Sequence, residues 1–489
     1  MLNKKRNIQS VVLLEPTFGH DKKHAFGGHN EFEPLGLEYI TAVLHSKGYK
    51  VNILMQMSEA RDELVQKIIS YNPDVVCFSV LTYNFNESIQ IARKLKHIDE
   101  KIIVVFGGYH PSTDTENVVK NNNVDFVVIG EGETTVMELF DAIENSRNYE
   151  SISGIAFLKN SQYFKTTKRI RIKNIDTLPF PLRNENTLKD CKIYGLMYPP
   201  PSKQVNVAVI ACSRGCPFNC EFCCSNALWG KGVTYRSPHN IIKEIRAVQE
   251  GFNTNAFFFT DLTFNSSKRW VKDFCYEILN SGLNFRWYCM CTILGLDAEL
   301  IRLMSQAGCR KIGFGIETLD DELSNEIKSF KRPLIEKMNE IYDLCFENEI
   351  FTKAYLMIGF PNETYNKLLE YKNKINEMRV DEIKISFYTP FPGTRAFEKY
   401  KHKLAYNDFS YFDTLNHLVI KNNSITEDEY KIIRKEIIRN FYNSELYVAR
   451  IKERLTRNPA LIESYDEFFN FLKLKINLYE GIINSFAFS

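Results

Sequence analysis

The 489-residue sequence lacks the features that mark membrane-spanning, secreted or nucleic-acid-binding chains. Its formal net charge is only +2, so the composition gives no support to a nucleic-acid or anionic-membrane partner. The apolar run after the basic N-terminus covers only Val11 to Leu14, which is too short for a signal-peptide core or a membrane span. There is also no solenoid-type repeat and no low-complexity tract. The sequence therefore predicts a cytoplasmic globular protein without a membrane or nucleic-acid partner.

Cysteine is scarce outside one short stretch. Of the twelve cysteines, only Cys77 lies in residues 1–145 and none follows Cys345. Five of them fall within thirteen positions, namely Cys212, Cys216, Cys220, Cys223 and Cys224. A disulfide framework would be spread along a small secreted chain, whereas clustering of this kind is typical of metal binding in a reducing compartment.

Residues 1–145 alternate between strand-length apolar runs and amphipathic segments of helical period. Strands are predicted at Ser10 to Glu15, Lys50 to Leu54, Asp74 to Val80, Lys101 to Phe106 and Val124 to Ile129. Helices are predicted at Gly36 to Ser46, Asn84 to Lys96 and Thr134 to Ile143. Strands that are apolar throughout, each followed by a helix, predict a parallel sheet covered on both faces. We expect a doubly wound α/β domain that binds ligands at the carboxyl ends of its strands.

The remaining chain is predicted to contain three further regions. Residues 146–200 form a connecting segment with a small hairpin and scattered prolines. Residues 201–404 repeat strand and helix six times, which predicts a partial (β/α)6 TIM-like barrel with its chemistry at the strand C-termini. Its strands are predicted at Val205 to Ala211, Ala256 to Thr260, Asn284 to Cys291, Lys311 to Ile316, Thr352 to Ile358 and Glu382 to Tyr388. Residues 405–489 are predicted to be mainly helical.

The cysteine stretch contains one regular spacing, C-x3-C-x2-C, formed by Cys216, Cys220 and Cys223. Thiolates are the usual ligands of iron–sulfur clusters, and three thiolates on a four-iron cluster leave one iron open for a substrate. A structural zinc site, a redox pair formed by Cys220 and Cys223, and a chance group of buried cysteines are the alternatives. A zinc site would need a fourth Cys or His in a matching pair, and no such pair occurs nearby. The spacing therefore favours a [4Fe–4S] cluster, with Cys212 and Cys224 as packing residues.

This loop follows the first predicted barrel strand, and the region of residues 205–400 resembles the radical S-adenosylmethionine (SAM) superfamily. The resemblance implies reductive cleavage of SAM to methionine and a 5′-deoxyadenosyl radical, which abstracts hydrogen from an unactivated position. It extends to Phe258-Phe259-Thr260-Asp261, Ile312 to Thr318, Ile358-Gly359-Phe360-Pro361 and Thr389 to Thr394. The implied SAM- and cluster-binding residues are Phe222, Asp261, Glu317, Gly359 and Pro390. Two departures are Leu262, where many relatives have a second acid, and the run Cys289-Met290-Cys291, where relatives often have a basic residue.

The N-terminal region, residues 8–145, resembles the cobalamin-binding domain of one large radical SAM subgroup. The residues that carry the resemblance fall at predicted strand ends, and the implied cofactor contacts are Ser79, Thr82, Gly107, Gly108, His110, Gly130, Glu131 and Gly132. The cobalt-ligating pattern D-x-H-x-x-G is one residue too long here, running from Asp21 to Gly27, so cobalt ligation by His24 is the minor alternative. A domain that packs on the barrel without any corrin is the other alternative.

The leading hypothesis is a cobalamin-dependent radical SAM methyltransferase that acts on a small molecule and receives electrons from flavodoxin or ferredoxin. The alternatives are a radical cyclisation, ring rearrangement or oxidation without methyl transfer, and a corrin-binding sensor that no longer reacts. A methylthiotransferase is disfavoured, because that resemblance would require a second cysteine triad in the N-terminal region. The sequence does not identify the substrate, although Tyr388 and Phe391 are among the aromatic residues that could line its pocket.

Overall fold

The structure is a computed structural model that describes residues 6–16, 33–56, 59–184, 207–327 and 333–471. Its contacts divide the chain into two compact units. The first unit comprises Met1–Cys191, Phe222–Arg236 and Pro390–Asp413, and the second comprises Lys192–Glu221, Ser237–Thr389 and Thr414–Ser489. Two features of the sequence, His24 and the proline run Pro199 to Pro201, lie outside the described residues.

The N-terminal region of the first unit contains one sheet, whose seven described strands have the order β2-β1-β3-β4-β5-β6-β7. The strands are β1 Ser10–Glu15, β2 Lys50–Met55, β3 Val75–Ser79, β4 Ile103–Gly107, β5 Phe126–Val128, β6 Ile155–Lys159 and β7 Gln162–Lys165. The helices are α1 Leu35–His45, α2 Arg61–Ser70, α3 Phe85–Ile98, α4 Tyr109–Thr113, α5 Thr115–Val119 and α6 Glu133–Glu144. Strands β1 to β5 are parallel, which confirms the predicted doubly wound sheet. The strand order reverses between β1 and β3, and such a switch point opens a ligand crevice at the carboxyl ends of the strands.

Helices cover both faces of this sheet because successive side chains on each strand point to opposite sides. Leu13 of β1 packs in a core with Leu139 of α6. Leu14, the next residue, packs in a second core with Ile91 of α3. All four side chains are fully buried, so the strands carry polar groups mainly at their ends.

The predicted hairpin is present, and it belongs to the first sheet. Strand β6 pairs antiparallel with β5, and β7 pairs antiparallel with β6. Phe157 of β6 joins the core on the α1 and α6 face, which explains why the hairpin is held at this edge. The sheet therefore continues as far as Lys165, into the segment predicted to be a connection.

The second unit contains the predicted barrel strands. Its six described strands form a parallel sheet in chain order, β8, β11, β12, β13, β14 and β15, which confirms the partial (β/α)6 architecture. These strands are β8 Ala208–Ile210, β11 Ala256–Phe259, β12 Arg286–Cys291, β13 Cys309–Glu317, β14 Phe351–Ile358 and β15 Glu382–Phe387. Two short strands were not predicted: β9 Ser213–Cys216 lies within the cysteine stretch, and β10 Gly232–Tyr235 follows it.

Helices follow the barrel strands as the sequence predicts. They are α7 Ser225–Trp229, α8 Pro238–Phe252, α9 Lys268–Ser281, α10 Ala298–Gln306, α11 Asp321–Ile327, α12 Ile335–Glu347, α13 Tyr365–Asn376 and α14 Arg395–Tyr400. Ser237 caps α8 by accepting a hydrogen bond from the Asn240 backbone N–H, with proline at the first helical position.

The C-terminal region is helical, as predicted. Its described helices are α15 Glu427–Tyr442, α16 Glu445–Arg457 and α17 Ile462–Phe471. Helix α15 packs on the barrel helix α13, and the buried Arg454 of α16 forms an ion pair with Asp381, which directly precedes β15. Across the described ranges, no helix is both long and apolar enough to cross a lipid bilayer.

Candidate active site and cofactor sites

The cysteine loop begins at the carboxyl end of β8 and is held there by a buried acid. Asp261, which follows β11, accepts a hydrogen bond from the Ser213 hydroxyl and another from the Cys212 backbone N–H at 3.2 Å. Burial raises the pKa of Asp261 to about 6, while these two hydrogen bonds act in the opposite direction. The carboxylate therefore fixes the start of the loop, and its predicted contact with SAM remains a prediction.

A second buried contact holds the loop between Cys220 and Cys223. The Tyr388 hydroxyl donates to the Glu221 carboxylate at 3.2 Å, and the Glu221 backbone N–H donates to the Ile327 carbonyl at 2.8 Å. Tyr388 is fully buried and packs on Phe360 with ring centroids 4.6 Å apart. Of the two interpretations of Tyr388, a core residue and a pocket aromatic, this placement favours the core residue.

Exposure separates the last four cysteines of the loop from the other described cysteines. Cys216, Cys220, Cys223 and Cys224 are partly exposed, whereas the other cysteines described in the structure are buried, namely Cys77, Cys212, Cys275, Cys289, Cys291, Cys309 and Cys345. All of these described cysteines are free thiols. The Cys216 sulfur lies 3.5 Å from the Thr263 hydroxyl, and the Cys223 sulfur lies 3.2 Å from the Ser225 hydroxyl. Three of the four partly exposed thiols, Cys216, Cys220 and Cys223, are those whose spacing predicts ligands of iron.

The assignment of the cluster ligands does not come from a ready-made metal site. Among the described residues, no three His, Cys, Asp or Glu side chains stand close enough together to hold a metal ion. The assignment of Cys216, Cys220 and Cys223 as ligands therefore depends on their spacing, their exposure and their soft sulfur donors, which fit an iron–sulfur cluster. Phe222, between the second and third of them, is partly buried.

The third cysteine lies beside the carboxyl edge of the first sheet, within the first unit. Tyr109 begins helix α4 directly after Gly107 and Gly108, and its pKa is raised to about 12 by burial and by the nearby thiols of Cys223 and Cys224. Its hydroxyl accepts a hydrogen bond from the Trp229 indole at 3.2 Å. The end of the cysteine loop is therefore held next to the strand ends where the cofactor residues of the first sheet were predicted.

Three of the predicted cofactor residues lie at the carboxyl ends of β3 and β4. Ser79, the last residue of β3, pairs with Gly107, the last residue of β4. Gly108 has φ +100°, and a Cβ atom there would lie 2.8 Å from the Val80 carbonyl oxygen. Only glycine fits that position without strain, which leaves the backbone open to a ligand.

Gly130, Glu131 and Gly132 connect β5 to α6 at the same edge. The Gly130 N–H donates to the Ser112 hydroxyl at 3.0 Å, and the Glu131 carboxylate accepts from the Ile172 N–H at 2.7 Å. A Cβ atom on Gly132 would lie 3.0 Å from the end of the Ile40 side chain. These contacts show structural roles for the three residues, and their contact with a cofactor remains a prediction.

Thr82 and His110 lie toward the α3 side of the sheet. Thr82 is buried at the start of a short 3-10 turn. The fully buried His110 ring packs between Phe85 and Phe409, with centroids 4.4 and 4.9 Å away. Burial lowers the pKa of His110 to about 3, and neither ring nitrogen has a hydrogen-bond partner among the described residues.

The other predicted SAM residues follow strands β13, β14 and β15. Glu317 ends β13 at a register shift with φ +70°, a conformation that costs a non-glycine residue about 1 kcal/mol or more. Gly359 has φ +87°, and a Cβ atom there would lie 2.4 Å from Leu418. Its N–H donates at 2.8 Å to Glu363, an acid whose pKa burial raises to about 7. Pro390 is buried just after β15.

The inner face of the barrel sheet is polar at its base. Lys311 of β13 and Lys353 of β14 both form ion pairs with Glu382 of β15, at 2.7 and 2.5 Å. Although burial alone would raise it, these lysines lower the pKa of Glu382 to about 2, and burial lowers the pKa of Lys311 to about 8. Above this layer the Tyr355 hydroxyl lies 2.8 Å from the hydroxyl of the buried Tyr288.

The inner side chains nearer the carboxyl edge are partly exposed, whereas those at the base are buried. The partly exposed ones are Phe258, Met290, Tyr355, Met357, Lys384 and Ser386. A Cβ atom on Gly313 would lie 2.6 Å from both Met290 and Tyr288, so glycine is needed for the inner side chains to pack at this level. The barrel interior is therefore closed at its base and open toward the strand ends, where the cysteine loop begins.

Two family models match the chain. The B12 binding domain matches residues 28–140, and the radical SAM superfamily matches residues 210–375. The chain belongs to the radical SAM enzymes that carry a B12-binding domain. The cofactors of this radical SAM enzyme are a [4Fe–4S] cluster, SAM and cobalamin.

The radical SAM enzyme has relatives of similar length. It is 25% identical over 454 residues to an uncharacterized methyltransferase of Pyrococcus horikoshii, covering 91% of this chain and 95% of the relative. It is 25% identical over 411 residues to the anaerobic magnesium-protoporphyrin IX monomethyl ester cyclase of Rubrivivax gelatinosus, covering 81% and 72%. Its fold is similar to that of the radical SAM methyltransferase TsrM of Kitasatospora setae, with 19% identity, a TM-score of 0.63, and coverage of 81% and 75%.

The sequence motifs single out Asp261 but do not assign any other residue to holding the cysteine loop. Ser213, Glu221, Thr263 and Tyr388 contact the loop or belong to it, yet no spacing in the sequence connects them. The only local signal is Thr263, two residues after Asp261 at the end of β11. The other contacts depend on which strand ends the barrel brings together.

Proposed function

We propose that this radical SAM enzyme is a cobalamin-dependent methyltransferase that acts on an unactivated carbon of a small-molecule or natural-product intermediate. The observation that carries the proposal is the hydrogen bond of 3.2 Å from the Trp229 indole to the Tyr109 hydroxyl within the first unit. Trp229 ends the helix that follows Cys223, and Tyr109 follows the glycines of the sheet edge that we propose to hold cobalamin. The similarity to a methyltransferase over 95% of that relative's length supports it.

In this proposal Cys216, Cys220 and Cys223 hold the cluster, and the carboxyl edge of the first sheet holds cobalamin. When bound, the cluster supplies the electron that cleaves SAM, and cobalamin carries the methyl group. Asp261 and Tyr388 keep the cysteine loop in place, Asp261 at its start and Tyr388 between Cys220 and Cys223. The buried base of the barrel leaves only the end near the strand C-termini open, so SAM and the substrate would be held on the side where the cysteine loop begins.

The proposal makes Cys223 and Cys224 a matched pair for testing the cluster. Both are partly exposed neighbours on one loop, but only Cys223 belongs to the C-x3-C-x2-C spacing. After anaerobic reconstitution with iron and sulfide, we expect about four irons per chain in the wild type and in Cys224→Ala. Cys223→Ala should lose most of the iron and the visible absorption. Equal iron in both variants would contradict the ligand assignment.

Methyl transfer is tested with SAM labelled at the methyl carbon. The methyl donor leaves as S-adenosylhomocysteine, and the molecule that abstracts hydrogen leaves as 5′-deoxyadenosine and methionine. Both sets of products must therefore accumulate together, and the label must appear in the organic product. The candidate substrates to test are the products of enzymes encoded by neighbouring genes.

A radical cyclisation is the second candidate, favoured by the similarity to the magnesium-protoporphyrin IX monomethyl ester cyclase. It differs in its products, because 5′-deoxyadenosine would form without S-adenosylhomocysteine and the label would stay out of the organic product. That result would replace methyl transfer with cyclisation, rearrangement or oxidation.

The proposal also includes a cytoplasmic location and an external one-electron reductant such as flavodoxin or ferredoxin. Support comes from the chemistry, since SAM cleavage consumes one electron for each molecule cleaved. Reduced flavodoxin should therefore sustain SAM cleavage by the reconstituted enzyme. Cleavage that needs no added reductant would contradict this part of the proposal.

A further inference from the structure

The turn that follows β14 packs against the C-terminal region of the second unit. Gly359, a predicted SAM residue, begins this turn, and helix α13 comes after it. Residues 414–422 reach the ends of β14 and β15. The N–H of Phe387, the last residue of β15, donates to the Thr414 carbonyl at 2.7 Å. The buried Leu418 lies against Gly359, because a Cβ atom there would be 2.4 Å from it.

One asparagine of this segment bonds both to the turn and to its own backbone neighbours. The Asn422 side-chain amide donates to the Phe360 carbonyl at 3.2 Å and to the Glu363 carbonyl at 2.9 Å. Its side-chain oxygen accepts from the N–H groups of Ser424 and Ile425, at 2.8 and 3.1 Å. An amide can donate and accept at the same time, which neither an alanine nor an aspartate side chain can do.

The acid near the end of the turn is bonded to the residue that begins it. The Glu363 carboxylate accepts from the Gly359 N–H at 2.8 Å and from the Tyr430 hydroxyl. Tyr430 is fully buried in α15, and its hydroxyl accepts from the Asn422 amide at 3.1 Å. Burial raises the pKa of Glu363 to about 7, whereas its hydrogen-bond donors act in the opposite direction. These four residues therefore form one hydrogen-bond network between the turn and the C-terminal region.

The conformation of this turn is special, because Gly359 has φ +87° and lies in the left-handed region that favours glycine. A network that satisfies the buried polar groups of one backbone conformation stabilises that conformation over others. We propose that Asn422 is a positioning residue for SAM, which holds the Gly359 turn in the conformation that binds SAM. The C-terminal helical region is then part of the SAM site, although it lies outside the sequence motifs.

The inference rests on the predicted contact between Gly359 and SAM, and it holds whether the substrate is methylated or cyclised. The test measures the dissociation constant of labelled SAM by equilibrium dialysis against the full chain. The cluster is first reconstituted anaerobically, and no reductant is added, so that SAM is not cleaved. Iron content and thermal unfolding are recorded for each variant.

Two substitutions at one position separate the bonds to the turn from the local bonds of the segment. Asn422→Ala removes both sets of bonds. Asn422→Asp keeps the acceptor for Ser424 and Ile425 but cannot donate to the turn. Asn443→Ala is the control, since Asn443 is exposed and its side chain donates to the Arg439 carbonyl of its own helix.

We expect Asn422→Ala and Asn422→Asp each to weaken SAM binding about tenfold, because two hydrogen bonds to the turn are lost. Asn443→Ala should bind SAM as the wild type does, and all three variants should keep the iron content of the wild type. With a reductant present, the KM for SAM should rise in the Asn422 variants while kcat changes by less than about threefold. A merely structural role would lower the unfolding temperature and leave the dissociation constant unchanged.

Three results would overturn the inference. Wild-type affinity for SAM in Asn422→Ala would show that SAM binding does not depend on the amide. Weak binding in Asn422→Ala together with wild-type binding in Asn422→Asp would assign the effect to the local bonds with Ser424 and Ile425. Loss of iron in both Asn422 variants would place the effect on folding. A wild-type chain that binds no SAM would overturn both this inference and the proposed function, whereas the three results above leave the proposed function in place.

Discussion

The two parallel sheets of this enzyme place their polar side chains differently. In the first sheet both faces are apolar and covered by helices, so polar groups such as Glu15 and Ser79 collect at the carboxyl edge. In the barrel sheet the outer face is apolar, with Phe314 packed on Tyr342 of α12, but the inner face carries Lys311 and Glu382. An open sheet therefore offers a ligand an edge, whereas a curved sheet also offers an interior. Four predictions test this difference.

The largest effect is expected at the base of the barrel. Glu382→Gln would leave Lys311 and Lys353 buried without their acid, which should cost about 3–5 kcal/mol of stability. The measurement is thermal unfolding followed by circular dichroism. Glu398→Gln, which breaks an exposed pair with Lys401, is the matched control and should cost less than about 1 kcal/mol. Equal effects would mean that the barrel base is solvated.

Folding stability and corrin binding should both depend on the backbone conformation of Gly108 at the carboxyl edge of the first sheet. Gly108→Ala adds a Cβ atom 2.8 Å from the Val80 carbonyl at φ +100°, which should cost about 1–3 kcal/mol and reduce corrin binding. Gly48→Ala is the control, because its φ is also positive, at +89°, but nothing lies within 4 Å of the added atom. If Gly48→Ala were as harmful as Gly108→Ala, strain alone would explain the loss.

The ability of the cysteine loop to retain a cluster should depend on the buried carboxylate of Asp261. Asp261→Asn keeps the shape of the side chain but cannot accept from both Ser213 and Cys212 as a carboxylate does, which should cost about 1–2 kcal/mol. We expect a lower iron content after reconstitution and faster loss of the cluster on dilution. Tyr388→Phe removes the single hydrogen bond to Glu221 and should have the smaller effect. A full iron content in Asp261→Asn would show that the loop is held by other contacts.

The smallest expected effect is the loss of folding stability that His110 causes at acidic pH. The pKa of His110 is lowered to about 3 by burial, so the unfolded chain binds a proton at higher pH than the folded chain does. His110 should therefore cost stability as the pH falls, by about 1 kcal/mol between about pH 7 and about pH 5.5. His110→Phe should lose less stability than the wild type over that interval. An equal loss would assign the acid sensitivity to other groups, since Asp114 lies 4.0 Å from the ring.

Much of the architecture was predictable from local patterns. Ser10 to Glu15 was predicted as a strand with the bounds that β1 has, and the six barrel strands were predicted within a few residues of their observed bounds. Their apolar runs and intervening amphipathic segments are local properties of the chain, so the sequence contains them directly. The spacing of Cys216, Cys220 and Cys223 is equally local, and it predicted the enzyme family.

The sequence by itself therefore determined the strand and helix order, the B12-binding and radical SAM regions, and the enzyme class. Tertiary structure alone decided which distant residues meet. Asp261 holds Ser213 across 48 positions, and Tyr388 holds Glu221 across 167, because parallel strands bring their carboxyl ends to one edge. The pairing of Leu14 with Phe78 was also decided in the folded sheet, because the register of two distant strands is set when their buried faces align.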